Sequence, residues 1–501
     1  MQRWIIAAVL GFVVAVPAHA QGGDPKEKTV VDLWDAVYLE GGKAGFWHTT
    51  VVEFERDGQK ILRTTNDMQL LIKRFNSTIL LEVQNGTDET AKGDVTGTFM
   101  RQVLGPNKET IIVGLVKGKQ LELSLDGKAG VLKPAPWDPG VLGLYRQQAL
   151  FADKKVKPGD KFSFATFEPQ VNLVVRMDVV VKEQEEIELL AKKKAKLLRV
   201  EMTPEKLEGV QLPVLVIWLD DEWKPLRQDS EIPGLGKMTL YRTNKDIAMA
   251  PSAEATLTDI GFTQLIRLNQ AILRPYDSST VLYRITVKGD EDAAKAFSQD
   301  DRQKVLKAKG QTFEMQIQAI KNPVKKAVGV QPGAEFTQSS YFITSDDARV
   351  KDHARKAVGK EKDPWKKALA IEKYVNKVMR VTNVEVMAPA DHVAKTLEGD
   401  CTEFAMLMAA MCRAEGIPSK TAIGLLYADT KTGPVMAFHM WTEVFVQGQW
   451  IPLDATLGRG YVGASHLKVT DHSWHDTRAL TPLLPLTRVL GKMQVEILTA
   501  K

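Results

Sequence analysis

Gly399-Asp400-Cys401-Thr402-Glu403-Phe404-Ala405 is the stretch on which the reading of this chain turns. Asp400 is a good helix N-cap and Glu403 sits three residues on, an aspartate version of the capping box, so Cys401 occupies the first helical position. Free N–H groups and the positive dipole end favour a thiolate there and are expected to lower the thiol pKa. The two neighbouring carboxylates work against this, so the thiol needs an imidazolium partner. Phe404, Ala405, Met408 and Cys412 follow at helical spacing from Cys401, making an apolar face that carries the thiol toward whatever the helix packs on. Gly416 ends the helix and Pro418 prevents its resumption. Cys412, deep in the stripe, reads as a small core hydrophobe.

Downstream the pattern is β. Lys420 to Tyr427, Val435 to Val446 and Gln449 to Asp454 read as successive strands. If Gln447-Gly448 is a two-residue hairpin turn, facing residues have numbers that sum to 895. Trp441 then opposes Asp454 and His439 opposes Thr456. Faces alternate along a strand, so His439 and Asp454 share one face as diagonal neighbours, and a slip of one residue would part them. Cys401, His439 and Asp454 thus supply a thiol nucleophile, its base and an orienting acid. No other part of the chain offers a constellation of similar quality.

Outward from this site the chain divides into segments. Residues 1–20 read as a secretory signal: Arg3 gives the charge, Trp4 to Val16 is almost wholly apolar, and Ala18-His19-Ala20 fits a cleavage site. Residues 21–250 read as a β-rich N-terminal domain, an antiparallel meander forming a large curved sheet or open barrel. Asp57-Gly58, Asn85-Gly86 and Asp126-Gly127 supply its tight turns. Asn76-Ser77-Thr78 and Asn85-Gly86-Thr87 also match the glycosylation acceptor pattern, which is weak evidence. Residues 251–344 form a connecting, β-containing module with strands near Val281 to Val287 and Phe313 to Ile317, and a polar helix or loop over Glu291 to Lys309. Residues 345–501 read as an α+β unit in which Asp363-Pro364 starts a helix that buries Ala368, Ile371, Val375 and Val378.

Composition narrows the function. A formal net charge of +5 over 501 residues implies neither a nucleic-acid nor a membrane partner, and no stable membrane insertion is expected after signal cleavage. The two cysteines cannot pair: eleven residues apart on one helix they are about 16 Å apart, against the roughly 7 Å limit for a disulfide. Two free thiols in an exported protein argue for reactivity at one of them.

Four blocks of the C-terminal unit resemble the transglutaminase-like superfamily, the papain-like thiol fold: Gly-Asp-Cys-Thr-Glu-Phe-Ala at 399–405, Arg-Ala-Glu-Gly-Ile-Pro at 413–418, Phe-His-Met-Trp-Thr-Glu-Val at 438–444 and Trp-Ile-Pro-Leu-Asp-Ala-Thr at 450–456. The resemblance runs from about Tyr341 to about Tyr461 and implies Cys401 as nucleophile, His439 as base and then acid, and Asp454 as the orienter of the ring. It also implies that the Cys401 N–H contributes to an oxyanion hole. Trp365 and Asn383 are candidates, by position alone, for that hole's side-chain donor. Nothing resembles the calcium sites of the animal enzymes, so no metal or other cofactor is expected; His472 and His475 form a lone H-x-x-H with no matching ligand pair.

These readings together give an exported, periplasmic or secreted enzyme that cleaves or exchanges amide bonds of a peptide or protein substrate, with hydrolysis favoured over cross-linking. The alternative is a non-catalytic peptide- or protein-binding scaffold on the same fold.

Overall fold

The computed structural model describes residues 27–501 apart from 75–76, 105–108, 130–131, 170–171, 208–211, 254–255, 325–330, 383–386 and 476–480. The signal reading of residues 1–20, the Asn76 acceptor and Asn383 therefore lie outside the described residues. Among those described, no helix is long and apolar enough to cross a membrane.

Strands between Lys28 and Thr243 form one 15-stranded antiparallel sheet. Its first strand, Lys28–Leu39, lies inside the sheet, between Gly42–Arg56 and Gly236–Thr243. The chain winds outward from it on one side and returns on the other. Phe167 and Val174, near one end of the sheet, share a core with Leu121, Leu123 and Trp137 near the other, so the sheet curls toward closure.

Asp57-Gly58 and Asp126-Gly127 are turns, with φ of 50° and 73° and of 45° and 75°. Asn85-Gly86 is not. It runs in mid-strand within Ser77–Thr90, Asn85 opposite Asn66 and Gly86 opposite Thr65. A Cβ on Gly86 would lie 2.3 Å from the Phe99 ring and 2.3 Å from the Thr64 carbonyl, so this glycine serves close packing across the sheet.

Thr280–Val287, Gln303–Lys309 and Thr312–Gln318 form a second sheet together with Met493–Ala500. Gln303–Lys309 is therefore an edge strand with an exposed, lysine-rich flank, which its polarity had made to look like helix or loop. Ile266–Arg267 pairs with the edge of Gly433–Val446. The segment before 345 and the unit after it thus share sheets.

The C-terminal unit packs helices on a sheet built from Ser419–Thr430, Gly433–Val446, Gln449–Leu453 and His466–His472. Asp347 caps the helix Ala348–Val358, and Asp363 caps Pro364–Val378 with proline at its first position. The helix Cys401–Ala414 lies at the centre, buried from Thr402 to Arg413. Burial all round it explains why its apolar stripe is so wide. It also fixes the helix rigidly beneath the thiol.

Candidate active site

The first turn of the Cys401 helix is held by a complete capping box. Asp400 Oδ1 accepts from the Thr402 N–H and hydroxyl, both at 2.8 Å, and Glu403 Oε2 accepts from the Asp400 N–H at 2.9 Å. Glu403 Oε1 takes the Ala388 N–H at 2.9 Å, which ties the preceding loop to the same turn. Burial, with Asp400 alongside, pushes the Glu403 carboxyl up to about 8. Gly399 enters the turn at φ +149°, and a Cβ there would lie 2.3 Å from that of Glu403.

The opposing strands carry the rest. Gln447 and Gly448 have φ of 54° and 82°, a two-residue turn with both residues left-handed. Val446 faces Gln449 and Thr442 faces Leu453, which is the register expected from the sequence. His439 Nε2 lies 2.8 Å from Asp454 Oδ2, as the diagonal placement requires. With Nε2 so engaged, Nδ1 is the nitrogen left for the Cys401 thiol, and the two groups lie close enough to interact electrostatically. The structure therefore brings Cys401, His439 and Asp454 together. Cys401 is half-buried; His439 and Asp454 are buried.

Asp454 is over-determined. Its Oδ1 accepts from the Thr456 N–H at 2.9 Å, and its own N–H donates to Glu372 Oε1 at 3.2 Å. A second imidazole also reaches it: His466 Nε2 lies 3.0 Å from the same Oδ2. Burial lowers His466 to about 4, so this ring is neutral and donates from Nε2. Burial opposes the Asp454 anion, but His439 and His466 outweigh it and hold the carboxyl far below the usual range. Burial also opposes a charged His439, yet the Asp454 carboxylate and the facing thiolate raise the ring to about 10.

The thiol does not follow the expectation set by its helix end alone. Burial and the adjacent Asp400 raise Cys401, while His439 and, more weakly, Arg74 pull it back. Desolvation of a thiolate beside a carboxylate outweighs the dipole, so the thiolate depends on its imidazolium and the two titrate as one pair.

His439 and His466 stand on strands that both flank Ser419–Thr430, and they meet across it where Gly424 faces His439 and Leu426 faces His466. Their ring centroids are 5.7 Å apart, and Trp441 stacks beside His439. Arg302, buried in the preceding segment, donates to the carbonyls of His466 and Gly463 at 3.0 and 2.6 Å.

Sequence reasoning missed His466, Glu372 and Arg74, whose Nη1 lies 2.8 Å from Asp400 Oδ2. Only His466 left a signal: it alternates with Leu467 and Val469 in a strand pattern that follows the triad. Trp365 is buried at the start of the helix Pro364–Val378. Lys367, two residues on, pairs at 2.7 Å with Glu415 beyond the far end of the Cys401 helix, about 20 Å along its axis from the thiol. His472 Nδ1 accepts from the Trp474 N–H at 2.8 Å. Among the described residues the potential metal ligands that converge are instead His439, Asp454 and His466, their atoms within 4.8 Å of one another. All three are committed to the hydrogen bonds above.

A helix-borne thiol facing a sheet-borne imidazole and carboxylate defines a thiol-site architecture of the papain-like kind. Residues 351–455 match the transglutaminase-like superfamily, and the chain carries a domain of that superfamily there. Similar solved structures include a candidate cysteine protease from Cytophaga hutchinsonii, 17% identical over 45% of this chain and 83% of that one, TM-score 0.29. A β-barrel-like protein of a domain of unknown function from Brucella abortus is 13% identical over 43% and 98%, TM-score 0.30. A candidate protease from Parabacteroides distasonis is 12% identical over 76% and 69%, TM-score 0.19. No curated protein matches the chain.

Proposed function

We propose that this protein is an exported cysteine-dependent acyl-transfer enzyme acting on amide bonds of a peptide or protein, with hydrolysis favoured over cross-linking. The observation that carries the reading is the buried His439–Asp454 pair, Nε2 to Oδ2 at 2.8 Å, set beside the Cys401 thiol at the start of the facing helix and electrostatically coupled to it. In the resting pair one proton is shared between Sγ and Nδ1. As Sγ attacks the substrate carbonyl, that proton resides on Nδ1 and the carbonyl oxygen becomes an oxyanion beside the free N–H groups of the helix's first turn. Collapse expels the amine, which takes the proton from Nδ1, and leaves a thioester on Cys401. Water then attacks the thioester, giving its proton to Nδ1, and the acid product leaves as that proton returns to the thiol. Asp454 keeps the ring oriented throughout and stabilises its charged form.

Hydrolysis is favoured because bulk water is the default acceptor for a thioester. The test is mass spectrometry of a glutaminyl peptide incubated with the protein and an excess of a primary amine. Hydrolysed product that disappears in Cys401→Ala is expected. Amide exchange without hydrolysis would overturn the preference for water, and no turnover by the wild type would favour a scaffold.

A further inference from the structure

Arg74 ends the strand Gln59–Arg74 of the N-terminal sheet and reaches the first turn of the Cys401 helix. Its Nη1 lies 2.8 Å from Asp400 Oδ2, with the two side chains 22% and 8% exposed. The other oxygen of Asp400 is committed to the helix cap through Thr402. One carboxylate therefore fixes the nucleophile's turn with Oδ1 and meets the N-terminal sheet with Oδ2. Capping needs no such arginine: an aspartate N-cap is stable when its free oxygen faces water. Bringing a guanidinium to that oxygen removes both charges from solvent, a cost that the position next to the thiol makes intelligible.

The charged and titratable groups around the thiol come from three directions. Its own helix supplies Asp400 and Glu403; the strand Gly433–Val446 supplies His439, backed by Asp454 and His466; the N-terminal sheet supplies Arg74. Asp400 disfavours the thiolate and Arg74 favours it. A second contact seats the sheet on this side: Tyr341 packs into both cores and its hydroxyl lies 3.2 Å from Thr110 Oγ1.

We infer that the N-terminal sheet is a working part of the active site, with Arg74 as a positioning residue that neutralises Asp400 and favours the Cys401 thiolate when the sheet is docked. This rests on the reading of Cys401 as the nucleophile. It gives the N-terminal region a role in catalysis itself, in addition to any role in substrate binding.

The test is the pH profile of iodoacetamide labelling at Cys401 in the full chain, with thermal unfolding measured on every variant. Arg74→Met is expected to move the inflection up by about one unit and slow labelling at pH 7 about tenfold, the size of effect an opposite charge within a few ångströms gives. Arg74→Lys should restore most of the rate. Asp400→Asn, which keeps the cap, should reverse the shift when added to Arg74→Met, because no uncompensated charge remains. A stably folded Arg74→Met whose inflection lies within about 0.3 unit of the wild type overturns the inference, as does a shift that Asp400→Asn leaves in place. If His439→Ala alters the profile while Arg74→Met does not, this inference alone fails. If neither does and the wild-type thiol titrates normally, the nucleophile reading fails with it.

Discussion

Asp454→Asn isolates the charge that sets the imidazole, because asparagine keeps one oxygen to accept from His439 and His466 and nearly the same shape. At 2.8 Å and an effective dielectric of about 20, the pair is worth about 6 kcal/mol. The ring's rise from its ordinary 6.5 to about 10 runs in the same direction, being the net of this attraction and the thiolate's against the cost of burial. With the charge gone, burial opposes the imidazolium with only the thiolate left to favour it, so the ring should be neutral at pH 7. Cys401, already raised by burial and Asp400, then has no cation of matching strength, and its inflection should move up by two units or more. Labelling by iodoacetamide at pH 7 should slow about 100-fold, read by intact mass against Cys412, whose thiol burial pushes far up. An Asp454→Asn variant that labels within about threefold of the wild type from pH 6 to 8 would refute the reasoning: the carboxylate would then not be felt at sulfur.

Three further outcomes are expected. Lys468, 2% exposed, places Nζ 3.0 and 3.1 Å from the two Glu443 oxygens and also contacts Asp471 and Asp300, so Lys468→Met should cost about 3–5 kcal/mol in denaturant unfolding; a loss under 1 kcal/mol would show that the cluster holds its charge without the lysine. Burial raises Glu372 from 4.5 to about 8, so the native state keeps a proton that the unfolded chain has released. Stability should therefore fall as pH rises from about 4.5 to 8 and level off above that, and Glu372→Gln should reduce the slope in pH-resolved melting while Glu403 maintains the rest. Gly424→Ala would put a Cβ 2.0 Å from the Leu467 carbonyl, forcing aside the strand that carries His466; a drop of about 1–3 kcal/mol with slower Cys401 labelling is expected, and an unchanged melting temperature would show that the strand can yield freely.

The site was legible where its parts are fixed by short-range rules. Asp400 as cap and Glu403 at the third position set Cys401 at a helix start, and Gln447-Gly448 sets a register that leaves no freedom in where Asp454 falls relative to His439. What escaped depends on contacts that local patterns do not encode. His466 reaches Asp454 across two intervening strands, and Arg74 reaches Asp400 from a different sheet. Asn85-Gly86 shows the converse error: the dipeptide has the chemistry of a turn, but the Phe99 ring and the Thr64 carbonyl use the missing Cβ for packing. The raised thiol has the same origin, since desolvation is a property of the assembled core and not of the helix end that carries the cysteine.

The pairing of Thr280–Val287 with Met493–Ala500 brings the entry and exit of the catalytic part of the chain to one place. The Lys501 N–H donates to the Thr280 carbonyl at 2.8 Å, and the Ser279 N–H donates to the Lys501 carbonyl at 2.6 Å. One pair of neighbouring strands therefore holds the two ends of this part together, while Ile266–Arg267 and Arg74 join it to the residues that precede it. This clasp thus keeps the thiol, the two imidazoles and their carboxylate on one frame, and change in the N-terminal sheet is constrained chiefly where Arg74 meets Asp400.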